Sequence, residues 1–278
     1  MGDVEYKQFA KSGVRVSAVG MGTYYDPLWI VTAYLGWRRG AQAKIQAIRS
    51  GLELGINLVD TAEIYQSEPL VAKAIAGLRR EDVFLATKVW SNHLRRDRLI
   101  KSLEASMRRL GVSYVDLYQI HFPNPRVPIA ETMGAMEEMV DKGKIRFIGV
   151  SNFSLEQMVE AHHSLKKYEL SSTQMEYSLA NRSIEKDILP YCEKNGIAVL
   201  AYFPLAHGKL ASNTALSKIG AKYGKTPSQV ALNILASKPN VFPIPRGSRV
   251  EHVKLNAESV GWRVSEEDKA KIEALFAG

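Results

Sequence analysis

The sequence predicts an α/β fold, a single (β/α)8 barrel spanning residues 1–278 with an N-terminal β-hairpin closing the barrel bottom. Three observations carry this. Short, nearly all-apolar runs alternate with amphipathic stretches almost from end to end, as strands buried on both faces alternate with surface helices. The runs recur roughly every 25–45 residues, the length of a βα unit, and there are eight of them. No Pro/Gly/Ser-rich linker or composition shift divides the chain, which favours one closed barrel over the alternative, an open doubly wound sheet of two halves.

The elements follow in order. Val4 to Phe9 and Val14 to Ser17 flank a Lys11-Ser12-Gly13 turn signal and read as the hairpin. The strands are Ala18 to Gly22, Asn57 to Asp60, Val83 to Lys88, Val115 to Ile120, Ile145 to Ser151, Ser172 to Glu176, Ala198 to Ala201 and Val241 to Pro243. Each stays apolar until a polar residue at its C-terminal end. Between them, Ser102, Leu103, Ser106 and Leu110, and then Ile129, Met133, Met136, Met139 and Val140, recur at helical spacing. The methionine stripe is core filler on this reading. Gly111 and Gly143 follow basic last turns, where a left-handed residue closes a helix.

Composition excludes several classes. With 46% hydrophobic and 24% charged residues, the chain is neither disordered nor collagen-like nor a coiled coil. No run of about 18 apolar residues occurs, and Asp3, Glu5 and Lys7 interrupt the N-terminus where a signal peptide needs an apolar stretch. The expectation is a cytoplasmic protein with no membrane span. The single cysteine, Cys192, has no partner for an internal disulfide and fits that compartment. The net charge of +8 is spread over short groups such as Arg38-Arg39, Arg79-Arg80 and Lys166-Lys167, often beside acids. Solvated helix faces look like this, so no nucleic-acid partner is expected.

Two nucleotide motifs fail. Gly20-Met21-Gly22 lacks the third glycine of a dinucleotide fingerprint, and Gly220 to Thr226 is one residue short of a P-loop and follows a helical pattern. Both read as turns. His162 and His163 are adjacent and cannot share a helix face, and no metal is expected.

Four polar residues stand at or just beyond successive strand ends: Asp60, Tyr65, Lys88 and His121. In a βα barrel those ends converge on one mouth. A phenol becomes a general acid when an ammonium nearby stabilises its phenolate, which Lys88 can do for Tyr65. Asp60 keeps Lys88 charged and fixed, and neutral His121 donates a hydrogen bond to a substrate carbonyl. Such a site protonates an alkoxide but cannot deliver hydride, so a nicotinamide cofactor is required.

These residues lie in segments that resemble the aldo-keto reductase family over nearly the whole chain. The segments are Gly20 to Thr23, Asn57 to Tyr65, Thr87 to Trp90, Asp116 to His121, Gly143 to Phe153 and Ile244 to Arg249. The resemblance implies a TIM barrel that binds NADP(H) and reduces aldehydes or ketones, with Asp60, Tyr65, Lys88 and His121 as a catalytic tetrad. It further implies that Ser151, Asn152 and Gln174 bind the nicotinamide carboxamide and that Tyr202 stacks on its ring. Pro204, Leu205 and Gly208 would lie along the pyrophosphate, with Thr23 and Ile244 also at the cofactor. Arg246, Gly247, Ser248 and Arg249 precede a helix starting near Val250 and would meet an adenosine 2′-phosphate. That favours NADP(H), while NAD(H) stays open as a second cofactor, because His252 replaces a frequent arginine and Leu255 an acidic contact. Asn256 fits an adenine contact.

For the small-molecule carbonyl or alcohol substrate, Tyr24, Trp90 and Phe122 are the expected walls, with Tyr25, Trp29, Trp37 and Pro123 as further candidates. The aromatic segment Asp26 to Arg39 departs from the family's commoner first loop and is either a substrate-facing lid or an element for packing or oligomer contact. Two other functions compete with the reductase: an NADP(H)-binding redox sensor or accessory subunit, and a lyase using Lys88 as a Schiff-base nucleophile.

Overall fold

A computed structural model describes residues 4–276. Asp3 and the ends of the range expected for the barrel lie outside them. The chain opens with the antiparallel hairpin β1 (Tyr6–Gln8) and β2 (Arg15–Ser17). Eight parallel strands follow: β3 (Met21–Gly22), β4 (Leu58–Asp60), β5 (Phe84–Val89), β6 (Val115–Ile120), β7 (Ile145–Ser151), β8 (Leu170–Glu176), β9 (Ala198–Tyr202) and β10 (Val241–Pro243). They pair in sequence order, so every crossover is a local βα step.

The sheet curls until its ends meet. The amide of Gly20 donates to the Pro243 carbonyl at 2.9 Å and that of Gly22 to the Pro245 carbonyl at 3.0 Å, and Gly22 bridges Arg246 in parallel. This seam explains the glycines that looked like half a nucleotide motif. A Cβ on Gly22 would stand 2.8 Å from the Ile244 carbonyl oxygen, and one on Gly20 would stand 2.7 Å from the Leu58 side chain. Gly22 is a glycine because two backbones close the barrel there, and Gly20 because the Leu58 and Ile244 side chains fill the space a Cβ would take.

Helices wrap the outside: α1 (Pro27–Tyr34), α2 (Ala41–Glu53), α3 (Glu68–Ile75), α4 (Arg96–Leu110), α5 (Ile129–Asp141), α6 (Leu155–Ser164), α7 (Ile188–Asn195), α8 (Thr214–Ala221), α9 (Pro227–Ala236), α10 (Val250–Ala257) and α11 (Glu266–Leu275). Local chemistry sets their ends. Ser154 with Gln157 and Thr226 with Gln229 form capping boxes at α6 and α9, and left-handed Gly111 closes α4. Met133, Met136 and Met139 of α5 are buried in the layer between helices and sheet. The Gly220 to Thr226 segment begins in the last turn of α8 and runs through a turn to Thr226, the N-cap of α9.

The hairpin seals the barrel at the N-terminal ends of the strands. Phe9, fully buried, packs its ring 4.6 Å from Phe84, 5.4 Å from Phe147 and 5.8 Å from Phe242. The opposite, C-terminal end stays open. No helix among the described residues is long and apolar enough to cross a membrane.

Candidate functional site

Asp60 is the last residue of β4, Lys88 the penultimate residue of β5, and His121 directly follows β6. Parallel pairing in register brings these ends together, although they are separated by 28 to 61 positions in the chain. Tyr65 comes from the 3-10 turn Glu63–Tyr65 after β4 and is followed by left-handed Gln66, φ 59°.

Lys88 is fully buried and spends its three N–H bonds internally: on both Asp60 carboxylate oxygens, at 2.8 and 2.7 Å, and on the Thr61 carbonyl at 2.8 Å. Its Nζ stands 4.9 Å from the centroid of the Tyr65 ring. Burial pulls the ammonium below the ordinary lysine value, and the Asp60 carboxylate opposes that pull. The Tyr65 hydroxyl instead meets His121 Nε2, 3.2 Å away.

Burial and the Asp60 charge raise the Tyr65 phenol well above 10, against the expectation of a phenol made easier to ionise by Lys88. Burial and the Lys88 charge push His121 down to about 2, so its imidazole is neutral. His121 Nδ1 has no hydrogen-bond partner among the described residues.

A cleft of about 1090 Å³ opens over these groups. Its walls include Asp60, Tyr65 and His121, the expected aromatics Tyr24, Trp90 and Phe122, and Ser151, Asn152, Gln174 and Tyr202. Pro204, Leu205, Gly208, Ile244, Arg246, Ser248, Arg249 and His252 continue it toward the α10 N-terminus. The volume exceeds what a small carbonyl compound alone fills. A flat ring at one end and guanidinium groups beside a helix N-terminus at the other suit an extended dinucleotide phosphate.

Other expected residues sit differently. Thr23 is buried, its hydroxyl bonded to the Asp60 carbonyl and to Ser67, and Lys88, Gly247 and Asn256 also lie behind the lining. Gly247 has no room for a Cβ because Val253 packs on it. Trp37 and Pro123 do not line the cleft. Asp26 to Arg39 is largely α1, whose Asp26, Pro27 and Ile30 form one wall, while Trp29 packs beneath.

The expected carboxamide contacts are already engaged with one another. The Tyr202 hydroxyl donates to Asn152 Oδ1 at 2.8 Å, the Asn152 amide donates to the His121 carbonyl and to Ser151 Oγ, and the Gln174 amide donates to Asp60 Oδ1 at 2.8 Å. A ligand here either uses the lone pairs and donors left over or displaces these bonds.

Sequence reasoning missed Phe203 and His207, whose rings meet at 3.9 Å on the cleft wall. Both are left-handed, as are Asn152 and Ala206, and no local composition signals positive φ for such residues.

Comparison with known proteins agrees with this geometry. The family model described as Aldo/keto reductase family matches residues 32–277. The chain is 32% identical to Aldo-keto reductase YhdN of Bacillus subtilis, covering 98% of this chain and 94% of that protein. It is 34% identical to Methylglyoxal reductase YeaE of Escherichia coli, covering 98% and 96%. A crystal structure of an aldo/keto reductase from Klebsiella pneumoniae in complex with NADP and acetate superposes with a TM-score of 0.89 at 32% identity, covering 99% and 96%. The chain therefore belongs to the aldo/keto reductase family and is an NAD(P)H-dependent enzyme of that family.

Proposed function

We propose that the protein reduces aldehydes or ketones to alcohols, with Tyr65 as proton donor and NADP(H) held along the cleft from Tyr202 to Arg249. The observation that carries the reading is the Tyr65 hydroxyl 3.2 Å from His121 Nε2 on the wall of a long cleft, with the Lys88–Asp60 pair buried behind it. When bound, the nicotinamide supplies the hydride that no side chain can.

The chain's own residues do the rest. His121 is neutral and Nε2 faces the phenol; with its proton on Nε2 it donates toward the phenol oxygen, leaving the phenol's proton for a substrate oxygen. When a carbonyl oxygen seats within reach of both groups, the His121 N–H turns from the phenol oxygen to it, so that it receives a hydrogen bond from each as negative charge develops. The buried ammonium of Lys88 stabilises that charge through space, since its N–H groups are already spent. Tyr202, fixed by its bond to Asn152, offers a flat face for ring stacking. Arg249, Ser248 and the α10 N-terminus read a phosphate at the far end.

Tyr24, Trp90 and Phe122 line the mouth, with Trp90 and Phe122 both packed on the His121 ring, at 5.2 Å each. Small aldehydes and dicarbonyls fit this wall, and relatives named as methylglyoxal reductases support that class. The test is NADPH absorbance after adding methylglyoxal or an aromatic aldehyde. Turnover that Tyr65→Phe lowers at least a hundredfold with NADPH binding intact is expected of a general acid. Tight NADPH binding with no turnover over an aldehyde and ketone panel overturns the enzyme reading.

A further inference from the structure

The Tyr65 side chain is placed by a short 3-10 turn. The turn has no side-chain cap, and the next residue, Gln66, carries a left-handed backbone at φ 59°. The phenol oxygen lies at the far end of the ring, so a small rotation of the turn moves it by an ångström, a displacement that costs on the order of a hundredfold in rate.

Glu63, at the start of the turn, is held through its carboxylate by the Trp90 amide, His93 and Ser102, whereas the Tyr65 end is gripped through its carbonyl by a single indole. Trp29 of α1, 4% exposed, donates its indole N–H to the Tyr65 carbonyl at 3.2 Å. Trp29 is itself fixed: its backbone amide donates to Asp26 Oδ1 at 2.6 Å and its ring meets Tyr25 edge-on at 5.4 Å; the Lys44 ammonium, 4.5 Å over the ring, touches the indole without bearing on its N–H. Arg246, on the opposite side of the seam, donates to the Tyr25 carbonyl and ties down the same unit.

We propose that Trp29 is a positioning residue for the proton donor: its indole N–H fixes the Tyr65 carbonyl and so keeps the hydroxyl at His121 Nε2. This rests on Tyr65 being the proton donor, as proposed above. It gives the aromatic first segment a task besides walling the cleft. A Trp at position 29 is needed for its N–H, not only for its bulk, because a buried carbonyl left without its donor pulls the turn toward other partners.

Trp29→Phe keeps an aromatic ring at the site and deletes the N–H together with the second ring of the indole. The expected result is a kcat about tenfold lower, with KM and the NADPH dissociation constant within about twofold of the parent, because placement and not binding is lost. In the cofactor-free protein, hydrogen exchange should quicken over residues 63–67 and stay unchanged elsewhere. Lys44→Met removes the cation over the ring but keeps the indole, and its kcat should stay within about twofold of the parent. A Trp29→Phe enzyme with parental kcat overturns the proposal, as does unchanged exchange over 63–67. So does a Lys44→Met enzyme as slow as Trp29→Phe, which would make packing the cause. Tyr65→Phe run alongside separates the two claims: parental activity there removes the proton donor itself, whereas an inactive Tyr65→Phe beside a parental Trp29→Phe removes only the role of Trp29.

Discussion

The Tyr65 hydroxyl and His121 Nε2 are 3.2 Å apart with their rings nearly perpendicular, at 81°, so the phenol points at the imidazole edge and not at its face. Lys88 stands to the side with all three N–H groups on Asp60 and Thr61. The Tyr65 phenol thus has a hydrogen-bonding neighbour that is neutral and a charged neighbour that acts through space.

This arrangement sets the pH response. Tyr65 is raised well above 10 and His121 is lowered to about 2. Across neutral pH both are in the form needed for reduction, phenol protonated and imidazole neutral. Carbonyl reduction at saturating substrate should therefore be flat from about pH 5 to about pH 9, since neither group changes its proton there. A bell centred near 6.5 would show that His121 titrates and would contradict its burial.

Lys88→Met should fail on two counts. It leaves Asp60 buried at the site with Gln174 Nε2 as its remaining side-chain donor, and breaking a buried pair on one side costs about 3–5 kcal/mol. It also removes the positive charge beside the phenol. Denaturant unfolding should show the loss of stability, and kcat under native conditions should fall further than Trp29→Phe lowers it. Parental stability in the variant would mean that water or a second residue takes over the Asp60 oxygens.

The two arginines at the far end should behave differently. Arg249 caps no bond with its side chain at the start of α10, so Arg249→Ala should weaken NADPH about tenfold to a hundredfold and NADH little, more so at low salt. Arg246 also holds the Tyr25 carbonyl, so Arg246→Ala should weaken both cofactors, NADPH the more. Calorimetric titration with each cofactor checks this. Equal weakening of both cofactors by Arg249→Ala would place the 2′-phosphate elsewhere.

Phe9→Ala tests the bottom of the barrel apart from its mouth. Phe9 is fully buried among Phe84, Phe147 and Phe242, and removing such a ring costs about 3–5 kcal/mol. The unfolding midpoint should drop while kcat and KM of the folded enzyme stay near parental, because the hairpin lies at the end opposite the site. A selective loss of kcat would mean that the plug transmits strain through the barrel.

The sequence by itself determined the parts whose signals are local. All-apolar runs ending in a polar residue marked the eight strands within a few positions, glycines after basic turns marked helix ends, and Asp60, Tyr65, Lys88 and His121 stood out because barrel strand ends share a mouth. The tertiary structure decided what depends on partners distant in the chain. Gly20 and Gly22, read from the sequence as a failed nucleotide motif and a turn, belong instead to the barrel seam, where their amides donate to Pro243 and Pro245. Asp60 was expected to hold Lys88, but only the closed barrel shows that both its carboxylate oxygens and the Thr61 carbonyl take all three donors; Arg246 looked committed to a phosphate until the Tyr25 carbonyl, 221 positions away, took one of its N–H groups. The reason is that periodicity and capping are set by neighbours within a turn or a strand, whereas each donor's bond is settled by competition among groups that only the closed barrel brings within reach.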